Sequence, residues 1–312
     1  MKETFIRLLS KILPAPVKSW MGRVLRSYTY KKRTDEYWVY KYGKHFPWKN
    51  PKTLNEKILW MELCSDTSLW TRLTDKIQVR KFVEEKGFAD YLPGLIRTYK
   101  DETEIDFAEL PNRCVLKCNH DSGSAVIIDK AKGLDEDEIR SFLHKRMQMR
   151  NFGDILCETH YNKIKPCIFA EEFIEPTNEA GLEEAQLIDY KFHCFDGQVD
   201  ICVVCYDRVH GEGRHATFDI YDSQPWRPRR DLIPEEYLRN LSLRDIPEPA
   251  NLPQMLNIAK TLSKGINHVR VDLYTSGDKV YFGEMTFTPT AARITYLTEE
   301  KLLEMGERIT IP

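Results

Sequence analysis

The stretches R-V-D-L-Y (Arg270 to Tyr274) and F-G-E-M-T (Phe282 to Thr286) read as two strands of one hairpin, spaced to aim two carboxylates at a common point. Side chains alternate along a strand, so Arg270, Asp272 and Tyr274 share one face of the first, and Phe282, Glu284 and Thr286 one face of the second. Ser276-Gly277-Asp278 suits a three-residue loop with Gly277 left-handed, a register that brings these even-numbered residues together. Two carboxylates about 4 Å apart repel by roughly 4 kcal/mol at an effective dielectric near 20. The pair therefore requires a cation, a proton or a shared arginine. A hard, oxygen-liganded ion such as Mg²⁺ is the natural guest. The alternative is an amphipathic hairpin with a surface pair between Arg270 and Glu284.

Upstream, Asp189-Tyr190-Lys191-Phe192 reads as a strand with Asp189, Lys191 and His193 on one face. A buried lysine needs anionic company, which phosphate would supply. Glu171-Glu172-Phe173-Ile174 ends a strand at a crossing between lobes, where unpaired backbone groups can read an adenine edge. Val115-Leu116-Lys117 runs into the small loop Asn119-His120-Asp121-Ser122-Gly123-Ser124. Its amides and hydroxyls suit phosphate and the ammonium adds charge, with a plain hairpin turn as the alternative. No Walker G-x-x-x-x-G-K is present. His120 is a candidate for catalysis or for a structural hydrogen bond.

The 312 residues, 42% of them apolar, allow one large α/β unit or two to three subdomains. Eight scattered cysteines in a chain of this size point to a reduced, cytosolic protein. Cys202 and Cys205 form the one C-x-x-C, but residues three apart in a strand face opposite ways, which excludes a shared zinc ion. The net charge of −2 hides an asymmetry. Residues 1–33 hold nine Lys or Arg against one acid, Glu3, hence +8, and the remainder carries −10. Phe5, Leu8, Leu9 and Ile12 precede Pro14, and Val17, Trp20, Met21, Val24 and Leu25 follow Pro16, a pattern of two short amphipathic helices broken by prolines. They suit either packing on the protein's own body or docking onto an anionic membrane or a membrane-bound partner. No apolar run is long enough for a membrane span, and the spread of basic residues argues against a cleaved signal peptide.

Helical spacing extends from Thr53 to Lys86 and stops at Gly87. Strand signals follow at Gly94 to Tyr99, Cys114 to Cys118 and Ala125 to Ile128, with a helix from Glu136 to Arg146 opened by acids. Further strands are expected at Cys167 to Phe169, Ile188 to Phe195, Val199 to Tyr206 and His215 to Tyr221, then a loop from Gln224 to Arg230 and a helix from Met255 to Leu262. A small α+β lobe is thus followed by a lobe of antiparallel strands that closes over it. The kinase signatures H-R-D and D-F-G are absent. Nucleic-acid binding is not expected, because the basic residues gather in one terminal segment and the body is acidic. Asp135-Glu136-Asp137 matches the D-x-D of metal-dependent glycosyltransferases, but acids at a helix start are explained by the helix dipole.

In chain order, Leu54-Asn55-Glu56-Lys57, Asp75-Lys76, Val115-Leu116-Lys117, His120-Asp121-Ser122-Gly123, Glu171-Glu172-Phe173-Ile174, Asp189-Tyr190-Lys191-Phe192, Arg270-Val271-Asp272 and Phe282-Gly283-Glu284 resemble the TupA-like family of ATP-grasp carboxylate-amine ligases. The resemblance implies an α+β ATP-grasp fold, two α+β lobes with ATP between them, preceded by a helical N-terminal region. The corresponding division is 1–50 for the basic helical segment, 51–95 for a helical region, 96–170 for the first lobe and 171–312 for the second. Lys76 and Lys117 would then meet the ATP phosphates, with Ser122, Gly123 and Ser124 as the mobile phosphate loop. Glu171, Glu172, Phe173 and Ile174 would line the adenine, Asp189 would hold the ribose, and Lys191 would reach toward the phosphates. Asp272 and Glu284 would hold Mg²⁺ with Arg270 beside a reacting acyl phosphate, whose charge Lys117, Lys191 and Arg270 would neutralise.

Two departures limit the transfer. Many relatives place Asn two residues after the metal-binding Glu, where this chain has Thr286 with only a hydroxyl. Residues 1–95 look helical where many relatives carry a parallel α/β domain, so substrate selection does not carry over. The implied reaction joins an amino acid to a uronic acid of a bacterial surface polysaccharide or its lipid-linked precursor, in the cytoplasm at the inner face of the membrane. Arg227, Arg229, Arg230 and Arg293 could meet such a polyanion or form a solvated basic loop. The alternatives are a glycosyltransferase of the same pathway and a catalytically idle ATP-binding module.

Overall fold

A capping box opens the helical region. The Thr53 hydroxyl accepts from the Glu56 amide at 3.3 Å, and the Glu56 carboxylate accepts from the Thr53 amide at 3.0 Å, so two amides that a helix start leaves orphaned are satisfied. The structure, a computed structural model, describes residues 15–149, 152–177, 185–209 and 215–311. Helix α1 (Ala15–Tyr42) is one continuous element of 28 residues rather than a short one. Pro16 lies in its first turn, where a missing N–H costs nothing. The helix expected before Pro14 lies outside the described residues. Tyr30, Thr34 and Trp38, spaced four apart, form the buried side of α1.

The helical stretch expected from Thr53 to Lys86 divides into α2 (Leu54–Cys64), α3 (Ser68–Thr74) and α4 (Gln78–Glu85). Local acids make the breaks: Asp66 accepts from the Ser68 amide and Asp75 from the Ile77 amide, each at 2.9 Å. Gly87 ends the run in the left-handed region, at φ +84°.

The first sheet contains β1 (Leu95–Tyr99), β2 (Arg113–Cys118), β3 (Val126–Asp129) and β4 (Ile168–Glu172), in the antiparallel order β1-β4-β2-β3. Cys114, Leu116 and Cys118 of β2 join the core with Leu143 and Met147 of α5 (Glu136–Gln148). Alternation then turns Lys117 to the other face, away from that core. Asp135 caps α5 by accepting from the Glu138 amide at 2.9 Å. The D-x-D triplet is therefore a helix start. A short helix, α6 (Phe152–Leu156), leads toward β4.

The second sheet has the antiparallel order β10-β9-β5-β6-β7-β8, from β5 (Asp189–Phe195), β6 (Gln198–Val209), β7 (His215–Ser223), β8 (Trp226–Pro228), β9 (Val269–Ser276) and β10 (Lys279–Thr286). The expected loop from Gln224 to Arg230 contains edge strand β8, whose Trp226 stacks on Tyr221 with centroids 4.4 Å apart. Its proline and arginines hide a strand signal, although proline is tolerated at an edge. A short helix, α7 (Glu235–Leu238), follows. Helix α8 (Leu252–Ser263) contributes Met255, Leu256, Ala259 and Leu262 to the core shared with Tyr190, Phe192, Val271 and Leu273. The opposite face of the sheet carries Asp189, Lys191 and His193. Cys202 pairs with Phe192 and Cys205 with Asp189, which sets the two cysteines on opposite faces. The final helix, α9 (Glu299–Glu307), packs against α2.

Candidate active site

The β9–β10 turn has two residues rather than three. Ser276 pairs with Lys279, and Gly277 occupies the first turn position at φ +58°. That register alone continues to Leu273 opposite Phe282 and would set Glu284 opposite Val271, facing the α8 core. A bulge at Gly283 resets it, so Glu284 pairs with Asp272 and Thr286 with Arg270. The expected meeting of the two carboxylates occurs, by a different route. Gly283 is required here for space, since a Cβ would lie 2.7 Å from Tyr274 Cε2 and 3.0 Å from the Asp272 carbonyl oxygen.

Across the sheet, Asp272 also pairs with Lys191, so Glu284, Asp272 and Lys191 stand in one row. Arg270 is the shared arginine that the charge argument requires. Its Nε and Nη2 meet the two Asp272 oxygens at 2.7 Å each, and Nη2 lies 3.4 Å from Glu284 Oε1. Lys191 Nζ lies 2.5 Å from Asp272 Oδ2 and 2.6 Å from Asp189 Oδ2. Burial pushes the Lys191 ammonium down, but Asp189 and Asp272 outweigh it and hold the pKa above the usual lysine range. Burial and Asp272 push Glu284 up, yet Lys76, Arg270 and Lys191 together hold it below the usual glutamate range. Glu284 thus stays ionised.

Lys76 comes from the helical region. Asp75 accepts from the Asn119 side chain at 3.0 Å, and the Lys76 amide donates to the Asn119 carbonyl at 3.1 Å, tying the Asp75-Lys76 pair to the end of β2. Lys76 Nζ donates to the Asp121 carbonyl, and Lys117 Nζ pairs with Glu171. Lys76, Lys117, Glu171, Ile174 and Glu284 line one cleft between the two sheets. The same cleft includes Arg80, Phe169, Leu92, Pro93, Tyr274, Phe282 and Gly283. Arg80 escaped the sequence reading. Arg80 lies in the first turn of α4, four residues after Lys76.

Other expected residues sit elsewhere. Ser122 and Gly123 are exposed, whereas Ser124 is buried and accepts from the Cys118 amide at 2.9 Å, closing the β2–β3 hairpin. Glu172 accepts from the Gly94 amide at 3.0 Å, and Phe173 lies under the Arg113 guanidinium, 3.9 Å from its ring centroid. His120 is buried, neither ring nitrogen is hydrogen-bonded among the described residues, and burial lowers its pKa. The Thr286 hydroxyl donates to Glu284 Oε1 at 3.0 Å and accepts from Arg270, a role in orienting the carboxylate. Arg227, Arg229 and Arg230 are paired with Asp222, Asp231, Asp219 and Asp245, while Arg293 stacks on Tyr37, so their charge is already engaged.

Among the described residues no three His, Cys, Asp or Glu side chains converge on a metal position. An Mg²⁺ ion needs only one or two carboxylates, with phosphate oxygens and water completing its shell. Asp189, Asp272 and Glu284 face Lys191, Arg270 and Lys76, and Asp272 and Glu284 offer the hard oxygen donors that a divalent ion takes.

Beneath this row, His193 Nδ1 lies 3.2 Å from His268 Nε2. Burial, then His268 and the nearby cations, keep His193 well below its usual pKa; burial, then Arg270 and Arg308, bring His268 to about 3. Below pH 6.5 the unfolded chain binds protons here that the folded chain refuses. Stability is therefore full above pH 6.5 and is expected to fall by about 1.4 kcal/mol per pH unit for each histidine as pH drops toward 3. Urea unfolding at pH 7.5 and 5.0 measures this, and His268→Asn should flatten the slope.

The description TupA-like ATPgrasp matches residues 56–310. The fold is that of an ATP-grasp protein, and the chain belongs to the TupA-like ATP-grasp family. No curated protein sequence matches it. Similar solved structures include D-alanine–D-alanine ligase from Bacillus anthracis complexed with ATP, with 18% identity over 76% of this chain and 66% of that one and a TM-score of 0.40. The Helicobacter pylori D-alanine–D-alanine ligase shows 12% identity, 76% and 61% coverage and a TM-score of 0.40. The ATP-grasp ligase PsnB complexed with minimal precursor shows 13% identity, 81% and 67% coverage and a TM-score of 0.40. The chain spans less than two thirds of the length of the two D-alanine–D-alanine ligases.

Proposed function

We propose that the protein is an ATP-dependent carboxylate-amine ligase, which joins an amino acid to a uronic acid of a bacterial surface polysaccharide or its precursor. One observation carries the reading: Lys117 from the first sheet and Glu284 from the second line the same cleft. The substrate carboxylate attacks the γ-phosphorus of ATP and ADP leaves. The amine then attacks the acyl carbon, phosphate leaves, and the nitrogen gives up a proton, so the products are an amide, ADP and phosphate. Lys76 and Lys117 hold the phosphates, Lys191 and Arg270 face the charge on the transferring oxygens, and positioning does most of the work. Mg²⁺, held by Asp272 and Glu284, supplies further charge neutralisation when bound.

The test is ADP release on a panel of uronic acid oligosaccharides with each amino acid. Lys117→Ala and Glu284→Gln should each lower the rate by about 100-fold to 1,000-fold. ADP formation that persists in both variants overturns the assignment. Sugar-nucleotide consumption without ADP points instead to glycosyl transfer, and failure to bind Mg-ATP to an idle module.

A membrane-facing partner fits α1. Leu25, Tyr28, Val39 and Tyr40 are exposed on a helix that also carries exposed Arg26, Lys32 and Arg33. No helix among the described residues is long and apolar enough to cross a membrane. Surface binding is the mode proposed. Cosedimentation should favour vesicles with 30% phosphatidylglycerol over neutral ones by about 10-fold in low salt, and Leu25→Ser with Tyr28→Ser should reduce it.

A further inference from the structure

One buried carboxylate near the charged row has an oxygen to spare. Thr286 bonds Arg270 and Glu284, and two residues further on the Thr288 hydroxyl donates to Glu158 Oε1 at 2.5 Å. Two residues of chain span at most about 7 Å, so Glu158 lies one short step beyond the point where Arg270 meets Thr286. Tyr161 marks the same proximity. Burial, then Glu158 and Glu284, push its phenol up against the pull of Arg270, which puts the ring within electrostatic reach of both carboxylates. Glu158 comes from the segment between α6 and β4 and is only 5% exposed. Its Oε2 makes no hydrogen bond among the described residues. Nearby groups are committed elsewhere: His160 Nδ1 meets Glu62 at 2.6 Å, and Arg293 Nη1 donates to the carbonyls of Leu156 and Ala291. A carboxylate buried with one oxygen unpaired requires a donor. The segment after Thr288 is strained as well, since Thr290, Ala291 and Ala292 are left-handed in succession, at φ +49°, +55° and +53°, with no glycine among them. Strain of this kind clusters at functional sites.

We propose that Glu158 is the catalytic base of the second half-reaction, its Oε2 receiving the incoming ammonium and taking one proton from it. The inference rests on the ligase reading given above. The first half-reaction needs no base, because a carboxylate that attacks phosphorus has no proton to lose. An amine does, since only its neutral form carries the lone pair that attacks. Transfer to Glu158 gives a neutral amine and a carboxylic acid. The nitrogen lone pair then forms the bond to the acyl carbon, the bond from that carbon to the phosphate oxygen breaks, and the departing phosphate takes the electron pair and the second nitrogen proton. Glu158 returns its own proton to water. A separation of about 7 Å leaves room for one nitrogen between Glu158 and an acyl group held beside Arg270. Burial raises the Glu158 carboxyl, Thr288 and His160 oppose the rise, Glu62 adds to it and Arg293 opposes it. A carboxylate moved toward the amine in pKa is the better acceptor.

The experiment compares two amines on the full chain with Mg-ATP: the amino acid that gives the fastest ADP release in the panel above, and hydroxylamine, which is already unprotonated at neutral pH. Glu158→Gln should slow amide formation with the amino acid by about 100-fold at pH 7.5, while hydroxamate formation stays within about 3-fold of wild type. The variant's rate with the amino acid should then climb with pH, as the free amine accumulates, more steeply than that of wild type. Glu158→Asp keeps the charge, and so protects the fold, but draws the carboxylate back by one methylene; it should show the same split between amines at about 10-fold. Equal losses with both amines in both variants, the mark of a purely structural carboxylate, overturn the proposal, as does an unchanged rate with the amino acid. Wild-type protein that releases no ADP with any acid and amine overturns the ligase reading itself, a result distinguishable from these.

Discussion

Asp272→Asn is expected to abolish ADP formation, by about 1,000-fold or more, and to lower unfolding stability by about 3–5 kcal/mol. Asp272 is fully buried and is the common partner of Arg270 and Lys191. Removing its charge leaves Arg270, Lys191 and Lys76 with only Asp189 and Glu284 to balance them. Breaking a buried ion pair by deleting one partner costs far more than the pair contributes when intact. Glu284→Gln should behave differently. Its side chain is 36% exposed, so solvent screens the lost charge, and stability should change by less than about 1 kcal/mol while activity is still lost. Guanidinium unfolding beside a steady-state assay separates the two. Wild-type stability in Asp272→Asn would refute the charge network described above.

Gly283→Val should disable the site through geometry. The added side chain meets Tyr274 and the Asp272 carbonyl, and relief of that contact requires the bulge to flatten or the strands to part. A flattened bulge turns Glu284 toward the core beneath the sheet, because a one-residue shift exchanges the faces of a strand. The expected result is a loss of activity of at least about 100-fold, with about 1–3 kcal/mol of destabilisation from overpacking. Gly277→Ala serves as the comparison. Its φ of +58° makes the substitution cost about 1 kcal/mol, but the turn lies beyond the bulge and the register at Glu284 should survive. Nucleotide affinity measured with and without Mg²⁺ reports the difference, since only the Gly283 variant should lose the dependence on the ion. Equal Mg²⁺ dependence in both would show that the bulge does not set the carboxylate.

Much of this site is legible before any coordinates. Alternation alone places Asp189, Lys191 and His193 on one face, and turns Lys117 away from the core that Leu116 and Cys118 join. Asp135 as a helix cap follows from composition. What escaped was mostly pairing that only the folded backbone decides. Arg113 draws Phe173 under its guanidinium, Ser124 is spent on the Cys118 amide, and three arginines between Arg227 and Arg230 are matched by acids that no local pattern pairs with them.

Local chemistry dictated which strands would be amphipathic, where helices start, and that acids and bases would share a surface, because those outcomes depend on neighbours within a turn or a pleat. The register at Glu284 and the union of Lys76, Lys117 and Glu284 in one cleft were settled by packing. A bulge exists only where the partner strand leaves space for it, and a cleft exists only once two sheets have met.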